Sequence, residues 1–151
     1  MAVRMSDAGI AMLKQFEGLR LETYADVAGV LTIGYGHTGG DVREGQVITE
    51  RQAEDILRVD VARFEQAVAG AVRRDPTQNQ FDAMVSLAYN IGVGSDVPAR
   101  GFLGSSVLRQ FNAGDVEGAA TSFILWIKAG GVLQPGLITR RAREIVRFLR
   151  P

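Results

Sequence analysis

The 151-residue sequence predicts an α+β fold that is mostly helical. Three observations carry this. Apolar residues recur at helical spacing along most of the chain. Two Thr-x-x-Gln capping boxes, one beginning at Thr49 and one at Thr77, mark helix starts. A single stretch, Leu21 to Gly36, switches to β-rich composition. With 46% hydrophobic residues the chain has the length of one domain and buries a core without staples. We therefore expect a single domain over residues 1–151, with a β-containing part at about 18–48. The helical part is expected at about 70–151 together with the N-terminal helix.

Each element has its own signal. Ser6 and Asp7 supply an N-cap, and Ile10, Leu13 and Phe16 follow at helical spacing to a stop near Gly18. Glu17 lies four residues after Leu13, which puts its carboxylate at the edge of the apolar face rather than out in water. Leu21 to Asp26 and Val30 to Tyr35, broken at Ala28-Gly29, read as a β-hairpin with Asp26 and Thr32 on its two arms. Thr38 to Val47 reads as a loop or a weak third strand. From Thr49 the stripe Ile56, Leu57, Val61, Phe64 and Val68 predicts a helix of about twenty residues, roughly 30 Å long and able to bridge two lobes. From Thr77 a helix runs through Phe81, Met84, Val85, Ala88 and Ile91 to Gly92. Gly92 to Gly104 holds four glycines and a proline and is the longest irregular stretch. Helices are predicted from Ser106 to Asn112 and from Asp115 to Ala129, with Gly114 closing the first and Asp115 capping the second. Gly130-Gly131 and Pro135-Gly136 punctuate the chain before a last helix from Leu137 to about Leu149.

Composition removes several function classes. Cysteine is absent and His37 is the only histidine, so no cofactor or metal is suggested. Net charge is zero, but residues 1–76 carry nine Lys and Arg against twelve Asp and Glu, leaving the remainder at +3. Arg140, Arg141, Arg143, Arg147 and Arg150 crowd the C-terminus with only Glu144 opposing them. That run reads first as a solvated helix face. The sharper alternative is attraction to a polyanion, either nucleic acid or an anionic cell wall, but no aromatic interleaving supports stacking on bases. The N-terminus, Met-Ala-Val-Arg-Met-Ser-Asp, has no apolar run long enough for a signal peptide or anchor, so synthesis in the cytoplasm and no membrane insertion are expected.

The residues with chemical potential are Glu17 and Asp26. A Glu at the apolar edge of a helix terminus and an Asp on a hairpin arm occupy different environments, one shielded and one more exposed. Hydrolysis of a glycosidic bond requires that pairing: an acid protonates the leaving oxygen while a carboxylate orients water. Ordinary surface or capping acids would look the same in isolation.

The spacing taken whole is more specific: Glu17-Gly18, Tyr24, Asp26, Gly29, then Thr32-Ile33-Gly34-Tyr35-Gly36-His37. It closely resembles the phage-type lysozymes and endolysins of glycoside hydrolase family 24. In that family the catalytic Glu is followed after eight intervening residues by Asp, and after five more by Thr, and Glu17, Asp26 and Thr32 fit both gaps. The resemblance continues through Gln78-Asn79-Gln80-Phe81-Asp82, Ala88-Tyr89-Asn90-Ile91-Gly92, Gly101-Phe102 with Ser105, Asn112-Ala113-Gly114-Asp115, Trp126, Gly130-Gly131, Gly136-Leu137 and Arg140-Arg141, and so covers essentially the whole chain.

The resemblance implies a lysozyme-like two-lobed fold, with a small β-hairpin lobe, a long connecting helix and a helical C-terminal lobe. It implies a muramidase that cleaves the β-1,4 bond between N-acetylmuramic acid and N-acetylglucosamine in peptidoglycan glycan strands, in a groove between the lobes. Glu17 would be the general acid, Asp26 the carboxylate that positions or activates water, and Thr32 a hydroxyl that helps hold it. Inversion is implied too, with the two carboxyl groups expected roughly 6.5 to 9.5 Å apart. Tyr24, Tyr35, His37, Phe102 and Ser105 are candidate substrate contacts. His37 reads more readily as a structural partner of a carboxylate or backbone group, and Trp126 as core, since Phe123 shares its predicted helical face. The stretch Val93 to Arg100 is several residues longer than the family's compact turn. A monomer is expected, reaching the wall through a holin-type pore or on lysis. The alternative is a muramidase-like domain repurposed to bind peptidoglycan or a protein partner with little catalysis.

Overall fold

The computed structural model describes residues 3–151, which divide into two compact units, Ile10–Arg63 on the one hand and residues 3–9 with Phe64–Pro151 on the other. The α+β, mostly helical class holds, and six α-helices and two small antiparallel sheets are found among the described residues. In this division the residues of the N-terminal helix from Ile10 onward group with the sheet.

Within Ile10–Arg63, helix α1 (Asp7–Glu17) contributes its C-terminal turns, and Gly18 ends it with φ +71° and an N–H bond to the Lys14 carbonyl. Strands β1 (Arg20–Ala25), β2 (Leu31–Gly34) and β3 (His37–Thr38) form a sheet in that order, with Tyr24 opposite Thr32 and Ile33 opposite His37. The weak third strand is thus two residues long, and the rest of the predicted stretch is loop except where Val47 bridges Glu22. Helix α2 (Glu50–Ala71) opens on the predicted box: Gln52 N–H donates to Thr49 Oγ1, and Thr49 N–H donates to Gln52 Oε1. Ile10, Leu13, Ile33, Ile48, Ala53, Leu57 and Val61 are among the buried apolar side chains of this unit, and Ile10, Leu13, Leu57 and Val61 belong to the predicted stripes.

In the other unit, α3 (Gln78–Ile91) is buried along Phe81 to Ala88, the pattern of a central helix. Thr77 and Gln80 form a complete capping box, and Gly92 ends the helix with φ +92°. Helix α4 (Ser106–Asn112) matches its predicted bounds, and Ser105 caps it by accepting from Leu108 N–H. The next segment differs from expectation. Helix α5 stops at Ser122 (Val116–Ser122), a single 3-10 turn spans Phe123–Leu125, and the chain then forms a hairpin of β4 (Lys128–Ala129) and β5 (Val132–Leu133). Gly130 and Gly131, both at positive φ, make its two-residue turn. Trp126 therefore lies beyond the helix at φ −107°, ψ 56°, and does not share a helical face with Phe123. Helix α6 (Pro135–Leu149) starts two residues before its predicted first residue because Pro135 serves as its N-terminal residue rather than as a break. It packs chiefly on α3, and Phe148 meets Phe111 and Phe123 at ring-centroid distances of 6.3 and 5.4 Å.

The C-terminal arginines are only in part a solvated face, with Arg143 and Arg150 exposed. Arg140, Arg141 and Glu144 are buried, with Glu144 bonded to the Ser86 hydroxyl and Arg141 to Asn90. Arg147 reaches Asn79 and Asp82. Three of the five cations are thus committed to α3, whose buried polar groups Asp82 and Ser86 could not be recognised as their partners from periodicity alone.

Candidate active site

Glu17, Asp26 and Thr32 all belong to the Ile10–Arg63 unit. Glu17 is the last residue of α1, half-buried. Its Oε2 lies 3.6 Å from where a Cβ on Gly36 would sit, so the carboxylate abuts the β2–β3 turn. That distance is ordinary contact. The need for glycine at 36 is conformational, since its φ is +83°.

Asp26 begins the turn between β1 and β2, and its side chain organises that turn. Oδ1 accepts from the backbone N–H of Ala28 and of Val30, each at 2.8 Å, while Asp26 N–H donates to the Val30 carbonyl at 2.9 Å. An Asp that satisfies its own turn is a recurrent device. Here it fixes the carboxylate with both bonds on one oxygen, and Oδ2 makes no hydrogen bond among the described residues.

Thr32 is buried on β2, and its Oγ1 donates to the Val30 carbonyl at 3.0 Å. The peptide groups of Val30 therefore tie Asp26 and Thr32 to one point: its N–H holds the Asp26 carboxylate, and its carbonyl receives both Asp26 N–H and the Thr32 hydroxyl. With its proton engaged, the Thr32 oxygen keeps lone pairs to accept with. The expected contrast in exposure between the two acids is absent, because Glu17 and Asp26 are both half-buried. Partners distinguish them instead, through the two backbone donors on Asp26 Oδ1.

The other candidates separate by burial. Tyr24 is half-buried on β1 with the Arg20 guanidinium 4.4 Å from its ring centroid, a contact the strand period of two permits but the motif did not suggest. Tyr35 is buried beneath Lys14, whose ammonium is 5.8 Å from the ring centroid and also pairs with Glu54. His37 is held on both ring nitrogens, Nδ1 2.7 Å from Asp60 and Nε2 3.0 Å from both oxygens of Asp41. Burial acts to lower its pKa, but the hydrogen bonds and charges of Asp60 and Asp41 outweigh it and raise the value above the ordinary 6.5. This is the structural role read from the sequence, although Asp60, 23 residues away on α2, had no local signal.

Phe102 and Ser105 are both buried. Phe102 is 0% exposed, and Ser105 is 2% exposed with its hydroxyl donating to the Phe102 carbonyl while it caps α4.

Known proteins resemble this chain in sequence and in fold. The family model described as phage lysozyme matches residues 14–144. The chain is 47% identical over 148 residues to the endolysin of Bacillus phage PZA, covering 97% of this chain and 55% of that protein. It is 41% identical over 152 residues to the endolysin of Salmonella phage P22, covering 97% and 99%. It thus spans about half the length of the Bacillus phage endolysins it matches. Among solved structures, a P22 lysozyme variant superposes with TM-score 0.88 at 42% identity, covering 99% of this chain and 100% of that one. The muramidase domain of SpmX from Asticaccaulis excentricus does so with TM-score 0.86 at 40% identity, covering 98% and 99%.

Proposed function

The chain belongs to the phage lysozyme family, and from that premise we propose that it hydrolyses the β-1,4 bond between N-acetylmuramic acid and N-acetylglucosamine in bacterial peptidoglycan, with inversion, in the course of host cell lysis. Glu17 donates the proton to the leaving glycosidic oxygen. A water donates one hydrogen to Asp26 Oδ2 and the other to Thr32 Oγ1, which turns its lone pair toward the anomeric carbon. As the C–O bond breaks, Asp26 takes the proton from that water. The observation that carries this reading is the shared anchorage of Asp26 and Thr32 on the peptide groups of Val30, which leaves Asp26 Oδ2 and the lone pairs of Thr32 Oγ1 as acceptors.

The test is the product. Sacculi digested with the protein, reduced and separated as muropeptides are expected to carry new reducing ends on N-acetylmuramic acid, and proton NMR during digestion is expected to detect the α-anomer first. New reducing ends on N-acetylglucosamine would overturn the bond assignment, and first appearance of the β-anomer would overturn inversion. The second reading, a domain that binds peptidoglycan or a protein partner with little turnover, predicts sedimentation with sacculi and no new reducing ends.

A further inference from the structure

Tyr24 is the neighbour of Thr32 across the sheet. Residues directly opposite in an antiparallel pair project to the same face, with Cβ atoms about 4.5–5.5 Å apart. On the other side of Thr32 stands Thr38 of β3, which is small and exposed. Thr32 is nevertheless only 4% exposed. The large side chain that the neighbouring strands offer to cover its face is therefore the Tyr24 ring.

That ring is itself held. In a regular strand, residues four apart are separated by about 13 Å. Here Arg20 faces Gly34 while Tyr24 faces Thr32, so four steps along β1 match two along β2. The surplus residues bend β1 as a bulge does, and the Arg20 guanidinium lies 4.4 Å from the centre of the Tyr24 ring. A cation over an aromatic face is attracted to it. The bend is fixed from its other edge: Thr23 N–H donates to the Gln46 carbonyl at 3.0 Å, Ile48 N–H donates to the Leu21 carbonyl at 2.9 Å, and Glu22 bridges Val47.

The consequence falls on the Thr32 hydroxyl. A threonine side chain has three staggered wells, and in the one observed Oγ1 donates to the Val30 carbonyl. Rotation to another well moves Oγ1 off that carbonyl and redirects the lone pairs assigned to the water. We infer that Tyr24 is a positioning residue: its ring, pinned by Arg20, confines Thr32 to the rotamer bonded to Val30, and it acts on hydrolysis through Thr32 without contacting the sugar. Its effect on rate rests on the proposed water-holding role of Thr32, whereas its effect on the rotamer does not.

Two measurements on the whole protein test it. Three-bond NMR couplings from the Thr32 methyl carbon to its own backbone nitrogen and carbonyl report χ1 in solution. Single-rotamer values are expected in the parent and in Tyr24→Phe, and averaged values in Tyr24→Ala. Parent-like couplings in Tyr24→Ala would overturn the proposal. In steady-state hydrolysis of soluble glycan strands, Tyr24→Ala should lower kcat by about three- to tenfold, no more than loss of the Thr32 acceptor itself. KM should stay unchanged, and Tyr24→Phe should rescue kcat. Arg20→Ala should lower kcat by about twofold. Adding Tyr24→Ala to Thr32→Val should cost nothing beyond Thr32→Val alone, because residues that act through one another are not additive. Additive losses, or a raised KM at unchanged kcat, would make Tyr24 a substrate contact and overturn the proposal. Tyr24→Leu, with a melting curve matched to the parent, stands in for Tyr24→Ala should that variant fold poorly. A protein that hydrolyses the strands but keeps parent-like couplings in Tyr24→Ala sinks this inference alone. One whose couplings average as expected but which releases no reducing ends sinks only the hydrolytic reading.

Discussion

The peptide groups of Val30 hold both Asp26 and Thr32. Asp26→Asn keeps an acceptor oxygen for the turn and removes the charge, so hydrolysis should fall by about a hundredfold or more with the fold intact. A drop in activity matched by a drop in melting temperature would instead make Asp26 a turn residue. Thr32→Val preserves shape and loses one acceptor, and a rate loss of roughly three- to tenfold is expected from the usual net value of one hydrogen bond. Full activity in that variant would remove Thr32 from the water site. His37 makes a prediction of another kind. Because its folded pKa is raised, its stabilising contribution is complete below the ordinary value of 6.5 and is lost as pH rises through the folded value. The hydrogen bond from His37 lowers the Asp41 pKa, so that partner's contribution is present above its ordinary 3.8 and fades in acid. Urea melts of the parent and His37→Gln should therefore differ most between about pH 4 and 6.5, with the gap narrowing at pH 9. An equal gap at both ends would mean that the ring acts through packing alone.

At the scale of elements, capping chemistry was the most legible feature. Both Thr-x-x-Gln boxes form as written, and Thr77→Ala should cost about 1 kcal/mol in urea denaturation while Thr77→Asp costs little. An unchanged midpoint for Thr77→Ala would show the cap to be redundant. The hairpin and its turn were legible for a similar reason, since Asp and Gly carry turn chemistry locally. Legibility failed from Thr121 to Pro135. Periodicity ran on through Phe123 and Trp126, but the Gly130-Gly131 turn drew the chain into a short hairpin whose four strand residues are too few to show an alternation. The stretch from Gly92 to Gly104 carries no periodic signal in the sequence. Its order comes from backbone hydrogen bonds and close glycine contacts. Gly94→Ala should accordingly cost on the order of 1–3 kcal/mol, the range for a non-glycine residue forced to positive φ.

For the molecule as a whole, what the sequence concealed was long-range polar pairing. Net charge by segment suggested a basic C-terminus, whereas Arg140, Arg141 and Arg147 are spent on Glu144, Asn90, Asn79 and Asp82. Partners 51 to 68 residues away leave no trace in spacing. Removing Glu144 would leave two buried guanidinium groups without their counter-charge, so Glu144→Ala should destabilise by about 3–5 kcal/mol, read from its urea midpoint. The trio Glu17, Asp26 and Thr32 was visible because a motif preserved its spacing, and the structure adds the turn that orders the last two. The role of Glu17 is tested most directly by clearing of chloroform-permeabilised Gram-negative cells, followed as turbidity with parent and Glu17→Gln proteins at equal concentration. Rapid clearing by the parent and a rate at least about a hundredfold lower for the variant are expected, and equal clearing by the two would refute Glu17 as the proton donor.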